Sequence, residues 1–168
     1  MAFDKAKAHL EKYGFSDRIR EFDVSSATVE LAAAALGCEG ARICKSLSFK
    51  LDEDRSVLVL TSGDCKVDNA KFKAYFGKKA TMLSFDEVEA KIGHAVGGVC
   101  PFGINEGVDV YLDESMKRFE IMYPACGSSN SAVELSIAEL EECSGYKEWI
   151  DVCKQVAPAG NFTGEASN

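Results

Sequence analysis

The sequence predicts an α/β domain built around a mixed β-sheet. Two observations lead to this fold class. Helical patterns stop repeatedly at a glycine, the residue that most easily adopts the left-handed conformation that follows a helix. Short apolar or alternating segments, which are typical of strands, lie between those helices. Because helices and hairpins are interspersed along the chain, we expect one mixed sheet with helices packed on it.

Five helical patterns each end just before a glycine. They cover residues 3–13, 28–36, 69–76, 85–92 and 137–144. Two of them begin with a capping box, Ser84 with Glu87 and Ser136 with Glu139, in which side chain and backbone satisfy each other at the helix start. We predict a last helix over residues 146–156, with Trp149 on its buried face together with Ile150.

Strand patterns fill the intervals between the helices. The predicted strands are 43–51, 56–61, 108–112, 119–123 and 132–135, with a weaker one near 80–83. Residues 52–55 are polar and charged, and they join the first two strands into a hairpin.

Length and composition indicate one globular domain. The chain has 168 residues, of which 46% are hydrophobic and 27% are charged, and this balance suffices to bury a core. We predict a single domain over residues 1–157 and a disordered tail over 158–168, where residues are small and polar. No apolar run has the length of a membrane span, and the first residues do not form a signal peptide.

The cysteines indicate a reducing compartment. There are seven, an odd number, and none form a Cys-x-x-Cys pair. A disulfide framework is not expected in a domain of this size, so we predict reduced thiols in a cytoplasmic protein.

The net charge of −8 argues against general binding of nucleic acid, including DNA. The charge is unevenly distributed, however. Residues 41–80 hold nine basic and five acidic side chains, whereas the rest of the chain holds ten basic and twenty-two acidic ones. This local basic excess either meets an anionic partner or is an ordinary solvated surface.

The segment from Gly97 to Ile104 is the most distinctive part of the chain. It reads Gly-Gly-Val-Cys-Pro-Phe-Gly-Ile, and it contains no acid, base or histidine. Glycine lets the backbone approach a ligand closely, and Pro101 stiffens the loop. The sequence therefore predicts a rigid loop that presents main-chain N–H groups.

This loop resembles the signature loop of the YbaK/prolyl-tRNA-synthetase editing-domain family. Gly97 to Pro101 fits the family's Gly-x-x-x-Pro motif. Three further segments are similar to the family in the same order: residues 28–37, 43–49 and 125–128. The resemblance spans residues 25–145, and four ordered matches are far more specific than one glycine loop.

The resemblance implies a fold and an activity. The fold would be a curved mixed sheet surrounded by helices. The activity would be that of an aminoacyl-tRNA deacylase, which hydrolyses the ester between a wrong amino acid and tRNA. Such enzymes are needed because a synthetase pocket rejects near-isosteric amino acids only about a hundredfold. The domain fills the chain, so we expect the enzyme to act in trans on mischarged aminoacyl-tRNA, with a synthetase as a second partner.

The resemblance also implies the site residues. The catalytic residues would be Lys45, Gly97, Gly98, Pro101, Phe102 and Gly103. Ser46, Gly127 and Ser128 would bind the substrate. The N–H groups of the loop would polarise the ester carbonyl, and Lys45 would hold the phosphate or ribose end of the tRNA. No metal or organic cofactor is implied.

Several residues have an alternative interpretation. Lys45 could be an edge-strand lysine that prevents aggregation. His94 could be a general base or could interact with a helix C-terminus. Cys100 could be a nucleophile, although a packed thiol is the simpler interpretation.

Two other functions remain open from the sequence. The same loop would occur in a non-catalytic module that binds aminoacyl-tRNA or a synthetase. Seven cysteines also allow a thiol-based redox protein, against which the lack of Cys-x-x-Cys counts.

Overall fold

The structure is a computed structural model that describes residues 2–156. In this part of the chain the helices are α1 (Ala2–Glu11), α2 (Val29–Leu36), α3 (Asn69–Phe76), α4 (Phe85–Ile92) and α5 (Ile137–Cys143). The strands are β1 (Ile19–Glu21), β2 (Ile43–Lys50), β3 (Ser56–Ser62), β4 (Cys65–Val67), β5 (Asp109–Asp113), β6 (Ile121–Pro124), β7 (Ser131–Val133), β8 (Leu135–Ser136), β9 (Tyr146–Ile150) and β10 (Cys153–Gln155). Short 3-10 segments cover Ser16–Arg18, Gly40–Arg42 and Glu114–Arg118.

A curved mixed sheet of six strands organises the fold, as the fold class predicted. Its strand order is β8-β6-β2-β3-β5-β9. β2 is antiparallel to β3 through the predicted hairpin, whereas β6, β5 and β9 join the sheet in parallel. Two antiparallel ribbons, β1–β7 and β4–β10, stand beside this sheet.

Each face of the sheet carries a hydrophobic core. Leu58, Leu60 and Leu112 face one cluster, which also contains residues of α1, α4 and α5. Val57, Val59 and Tyr111 face the other cluster, which contains Phe72 of α3. The strict alternation along β3 follows from the period of two in a strand that is buried on both faces.

Two predicted capping boxes and three of the five predicted glycine stops are confirmed, whereas α1 already ends at Glu11 and α5 ends with Ser144 as its C-cap. Ser84 and Ser136 both form complete capping boxes with the glutamate three residues later. Gly37, Gly77 and Gly93 end α2, α3 and α4 in the left-handed conformation.

The predicted helix over residues 146–156 is wrong. Residues Tyr146–Ile150 form β9, which pairs in parallel with β5 at the sheet edge. Residues Cys153–Gln155 form β10, which pairs with β4. These pairings are made by residues far away in sequence, and such tertiary contacts override a local helical pattern.

Smaller differences occur in other strands. The predicted strand 132–135 is divided between β7 and β8, which pair with β1 and β6, respectively. The segment 80–83 makes only an isolated bridge, in which Met82 meets Phe49. β1 and β4 have three residues each and were not predicted. The predicted disordered tail over 158–168 lies outside the described residues.

Candidate functional site

A cavity of about 630 Å³ opens along the edge of β2. Its walls come from β2, the segment 26–29, the segment 80–83, β6 and β7, and the first half of the glycine loop. Small-molecule sites commonly have volumes of roughly 300–1,000 Å³. The cavity therefore has room for a nucleoside with an attached amino acid.

The edge of β2 is left open at Ser46. β2 pairs with β3 over its whole length, but its pairing with β6 ends at Cys44. On the same side, pairing resumes where the Ser48 carbonyl accepts from Leu83 N–H at 3.2 Å. Because backbone groups along a strand alternate between its two sides, the N–H and C=O of Ser46 point into the gap.

The Ser46 side chain adds a third polar group. Its Oγ is buried and has no hydrogen-bond partner within residues 2–156. A buried hydroxyl without a partner costs free energy. Because this Oγ has almost no accessible surface, the main-chain N–H and C=O of Ser46 are the groups that face the cavity.

Lys45 lies on the opposite face of β2 and also lines the cavity. Its Nζ donates a hydrogen bond to the carbonyl of Cys65. Burial lowers the pKa of the Lys45 ammonium, while the carboxylates of Asp64 and Glu30 act in the opposite direction. The predicted alternation along β2 is confirmed, because Cys44 packs in one core and Phe49, on the face of Lys45, packs in the other.

A charged network holds the turn to which Lys45 is bound. Arg118 donates from Nη2 to Asp64 Oδ1 at 2.6 Å and from Nη1 to Asp64 Oδ2 at 3.0 Å. Arg118 Nη2 also reaches the Ser62 Oγ at 2.6 Å. Burial acts to raise the pKa of Asp64, but the hydrogen bonds from Arg118 and Ser62 outweigh it and lower that pKa to about 2. This network fixes the residues that lead to the Cys65 carbonyl.

The first half of the glycine loop faces the cavity. Gly97 and Val99 are among its lining residues. Within residues 2–156 their N–H groups have no acceptor, whereas Gly98 N–H donates to the Ala95 carbonyl at 3.0 Å. Gly98 serves packing instead, since a Cβ there would lie 2.6 Å from the Ser128 amide nitrogen.

The second half of the loop belongs to the core. Pro101 and Phe102 are buried, and the Phe102 carbonyl accepts from His94 Nε2 at 2.7 Å. A Cβ on Gly103 would lie 2.7 Å from the carbonyl oxygen of Lys5 in α1. None of Pro101, Phe102 and Gly103 is among the described residues that line the cavity.

The turn at Gly127 and Ser128 supports the loop from behind. Gly127 N–H donates to the Gly98 carbonyl at 3.0 Å, and Ser128 Oγ lies 2.6 Å from Ser131 Oγ. Cys126 is fully buried in the core. Of the residues predicted for the site, the structure brings Lys45, Ser46 and Gly97 together around the cavity, and the others lie behind its wall.

The described residues that line the cavity include no aspartate, glutamate or histidine. His94 is fully buried outside this lining, and burial lowers its pKa. Burial also raises the pKa of every one of the seven cysteines, including Cys100 inside the loop. An activated thiolate or a protein base at the cavity is therefore not favoured.

Residues 2–156 contain neither a metal-binding cluster nor a membrane-spanning helix. No group of three histidine, cysteine, aspartate or glutamate side chains could hold a metal ion together. No helix there has both the length and the apolar character needed to cross a bilayer.

Sequence reasoning missed several lining residues. Ser26, Ala27 and Thr28 precede α2, Lys66 belongs to β4, and Asn69 is the first residue of α3. The N-cap at Thr28, whose Oγ1 accepts from Leu31 N–H at 3.2 Å, was a signal for a helix start but not for a cavity wall. Long-range contacts bring these segments to β2, so no local pattern could reveal them.

Comparison with known proteins identifies the class. The model of the aminoacyl-tRNA editing domain family matches residues 24–143, and the chain belongs to this family. A crystal structure named as a candidate trans-editing enzyme for prolyl-tRNA synthetase has a TM-score of 0.81 at 29% identity, covering 91% of this chain and 97% of that one.

Sequence relatives fall into two kinds. An uncharacterised Bacillus subtilis protein, YwhH, is 49% identical over 92% of this chain and 98% of its own length. A proline--tRNA ligase of Bacillus cytotoxicus is 32% identical over 75% of this chain. The match spans only 20% of that ligase, so the resemblance concerns one region of a much longer protein.

Proposed function

We propose that this protein is an aminoacyl-tRNA deacylase that hydrolyses the ester bond of mischarged tRNA in trans. Membership of the editing-domain family supports the reaction class. The relative of nearly equal length in Bacillus subtilis supports action outside a synthetase chain. The observation that carries the proposal is the open β2 edge at Ser46, which shares one cavity with Lys45 and Gly97.

The groups around the cavity match the parts of an aminoacyl ester. The Ser46 carbonyl would accept from the α-ammonium group of the amino acid. The N–H groups of Gly97 and Val99 would bond to the ester carbonyl oxygen and stabilise it as it becomes an oxyanion. The Lys45 ammonium would hold the ribose or phosphate of the terminal nucleotide.

The chemistry proceeds without a protein base. Water, the adjacent ribose hydroxyl or a group of the amino acid attacks the ester carbon, and the negative charge moves to the carbonyl oxygen. When the tetrahedral intermediate collapses, the bond to the ribose oxygen breaks and that oxygen takes up the proton that the attacking group gives up. With water as the nucleophile, the products are the free amino acid and the uncharged tRNA. We propose no metal or organic cofactor, since N–H groups and an ammonium supply the electrostatic stabilisation.

The partners follow from this reaction. The substrate is the acceptor end of a mischarged tRNA, and a synthetase that releases such a tRNA would be a second partner. A cytoplasmic location agrees with both partners and with thiols that stay reduced.

A panel of mischarged tRNAs tests the proposal. We expect the purified protein to deacylate at least one member, and Lys45→Ala to lower the rate by about one to two orders of magnitude. Lys117→Ala is the matched control, because this exposed lysine pairs with Glu114 and does not line the cavity. Binding of mischarged tRNA without hydrolysis would contradict the proposal and would support a non-catalytic module.

A further inference from the structure

The ribbon formed by β4 and β10 places two lysines directly opposite each other. Lys66 of β4 is in register with Lys154 of β10, and both side chains are exposed. Lys66 is also among the residues that line the cavity. Because like charges at opposite positions of an antiparallel pair repel, this arrangement opposes the stability of the ribbon.

Neither lysine is neutralised by a neighbouring carboxylate. Within residues 2–156 neither Lys66 nor Lys154 forms an ion pair within 4 Å. Asp68 is close enough to feel the charge of Lys154, but its carboxylate accepts from the N–H groups at the start of α3. The chain has a net charge of −8, so two paired lysines without a carboxylate partner among residues 2–156 are conspicuous.

Lys71 shows the contrast on the same side of the molecule. Its Nζ donates to Asp151 at 3.0 Å and to the Cys153 carbonyl at 3.1 Å. Lys71 therefore connects α3 to the start of β10 and has its charge compensated, whereas Lys66 and Lys154 have no ion-pair partner in the described part of the chain.

The position of the pair indicates its ligand. Lys66 directly follows Cys65, whose carbonyl holds Lys45 in the cavity. If the terminal aminoacyl nucleoside occupies the cavity, the preceding nucleotides of the same strand must leave over its rim. A phosphodiester chain is flexible and negatively charged, and lysine is well suited to contact it as a mobile point charge.

We propose that Lys66 and Lys154 bind the phosphodiester backbone of the single-stranded acceptor end of tRNA. This proposal rests on the proposed deacylase function. It adds a nucleic-acid contact that comes partly from β10, a strand that local sequence patterns did not reveal. The pair acts on the affinity for the polynucleotide and leaves the chemical step unchanged.

The test compares two substrates that carry the same amino acid. Aminoacyl-adenosine has no phosphate, whereas the aminoacyl-tRNA has the whole acceptor strand. The variants are Lys66→Glu, Lys154→Glu and the double reversal. The matched control, called the α1 control, is the double reversal Lys7→Glu with Lys12→Glu. Lys7 lies in α1 and Lys12 directly follows it, and both lysines are exposed and do not line the cavity.

We expect the KM for aminoacyl-tRNA to rise severalfold in each single variant and further in the double variant. The kcat should stay constant. For Lys154→Glu, whose residue does not line the cavity, both constants should also be unchanged for aminoacyl-adenosine. The slope of log KM against log salt should fall by about 1.4 in the double variant, since each phosphate contact on a single strand contributes about 0.7. The α1 control should move neither constant by a comparable amount.

Unfolding experiments separate this loss from misfolding. Each single reversal turns a like-charge pair into an opposite-charge pair, so the melting temperature should stay equal or rise. An unchanged KM for aminoacyl-tRNA in the double variant would overturn the proposal. An equal rise for aminoacyl-adenosine would also overturn it.

A binding experiment distinguishes a failure of this proposal from a failure of the proposed deacylase function. If the wild-type protein hydrolyses neither substrate, the deacylase function fails. The lysine pair is then tested by fluorescence anisotropy with a labelled single-stranded RNA that ends in CCA. Weaker binding by the double variant than by the α1 control would support the phosphate contact. Equal binding would overturn it and would favour a protein partner at this ribbon.

Discussion

The two halves of the glycine loop have different surroundings although they form one sequence motif. Gly97 and Val99 line the cavity, and their N–H groups have no acceptor within the described residues. Phe102 is fully buried, and Gly103 lies against the backbone of α1. The first half is therefore available to a ligand, whereas the second half anchors the loop in the core.

The loop therefore combines two physical requirements in one motif. Glycine is needed at Gly98 and Gly103 because another backbone approaches too closely for a Cβ. At Gly97 and Val99 the main chain lines the cavity, and its N–H groups have no acceptor within residues 2–156. The predicted catalytic roles of Pro101, Phe102 and Gly103 remain predictions, and the geometry favours a packing role for them.

The largest effect is expected from removal of one N–H group. Replacing Val99 by its α-hydroxy acid analogue converts the amide to an ester without changing the side chain. We expect kcat to fall by about 10²–10³, as for other donors to an oxyanion. The same replacement at Phe102 should leave kcat almost unchanged. Equal losses at both positions would contradict the division of the loop.

Alanine at two glycines of the loop gives the next largest effect. Both residues have positive φ, 99° at Gly97 and 71° at Gly103, so backbone strain is common to both. Gly103→Ala also meets the Lys5 backbone, and we expect it to lower the free energy of unfolding by about 3 kcal/mol. Gly97→Ala meets the Ala27 side chain at 3.3 Å and should lose more in kcat than in stability.

Urea unfolding and deacylation kinetics measure the two effects separately. Gly103→Ala should retain the wild-type kcat in its folded fraction. If Gly103→Ala lost kcat and kept its stability, the second half of the loop would have a catalytic role.

Disrupting the network of Asp64 and Arg118 should change the free energy of unfolding by about 2 kcal/mol. The pKa of Asp64 in the folded state is about 2, below its ordinary value of 3.8. A lowered carboxyl pKa stabilises the folded state above the unfolded pKa, and this stabilisation is lost as the pH falls from about 4 towards 2. Asp64→Asn should lower the free energy of unfolding by about 2 kcal/mol at pH 7. The variant should lack this part of the acid dependence, and identical pH profiles would exclude the role of Asp64.

The smallest effect concerns His94. Burial lowers the pKa of its imidazole, so the folded state binds a proton less readily than the unfolded chain does. Stability should therefore decrease as the pH falls below 6.5, where the unfolded chain binds the proton. His94→Gln should remove this dependence in unfolding curves and leave the pH profile of kcat unchanged. If His94→Gln lost the acidic side of the pH profile of kcat, His94 would be a catalytic base.

Much of the fold could be predicted from local signals. Capping boxes at Ser84 and Ser136 fixed helix starts, and the alternation along β2 separated Lys45 from Ser46. The last helix was wrong because β9 and β10 owe their conformation to β5 and β4, which lie far away in sequence.

The candidate site, like the fold, could be predicted where local motifs exist and not where distant residues meet. Lys45, Ser46 and Gly97 lie in motifs that resemble a known family, so the sequence could indicate them. The bond of Arg118 to Asp64 joins residues 54 positions apart, and the Lys66–Lys154 pair depends on an unpredicted ribbon. Such partners become visible only when the chain is folded.

The most direct measurement follows backbone amides during binding. A non-hydrolysable adenosine with an amide-linked amino acid is added to ¹⁵N-labelled protein, and the amide chemical shifts are recorded. Shifts centred on Ser46, Gly97 and Val99, with little change at Phe102 and Gly103, are the predicted result. Shifts centred on Phe102 and Gly103, with Ser46 unaffected, would contradict the assignment of the open β2 edge as the substrate site.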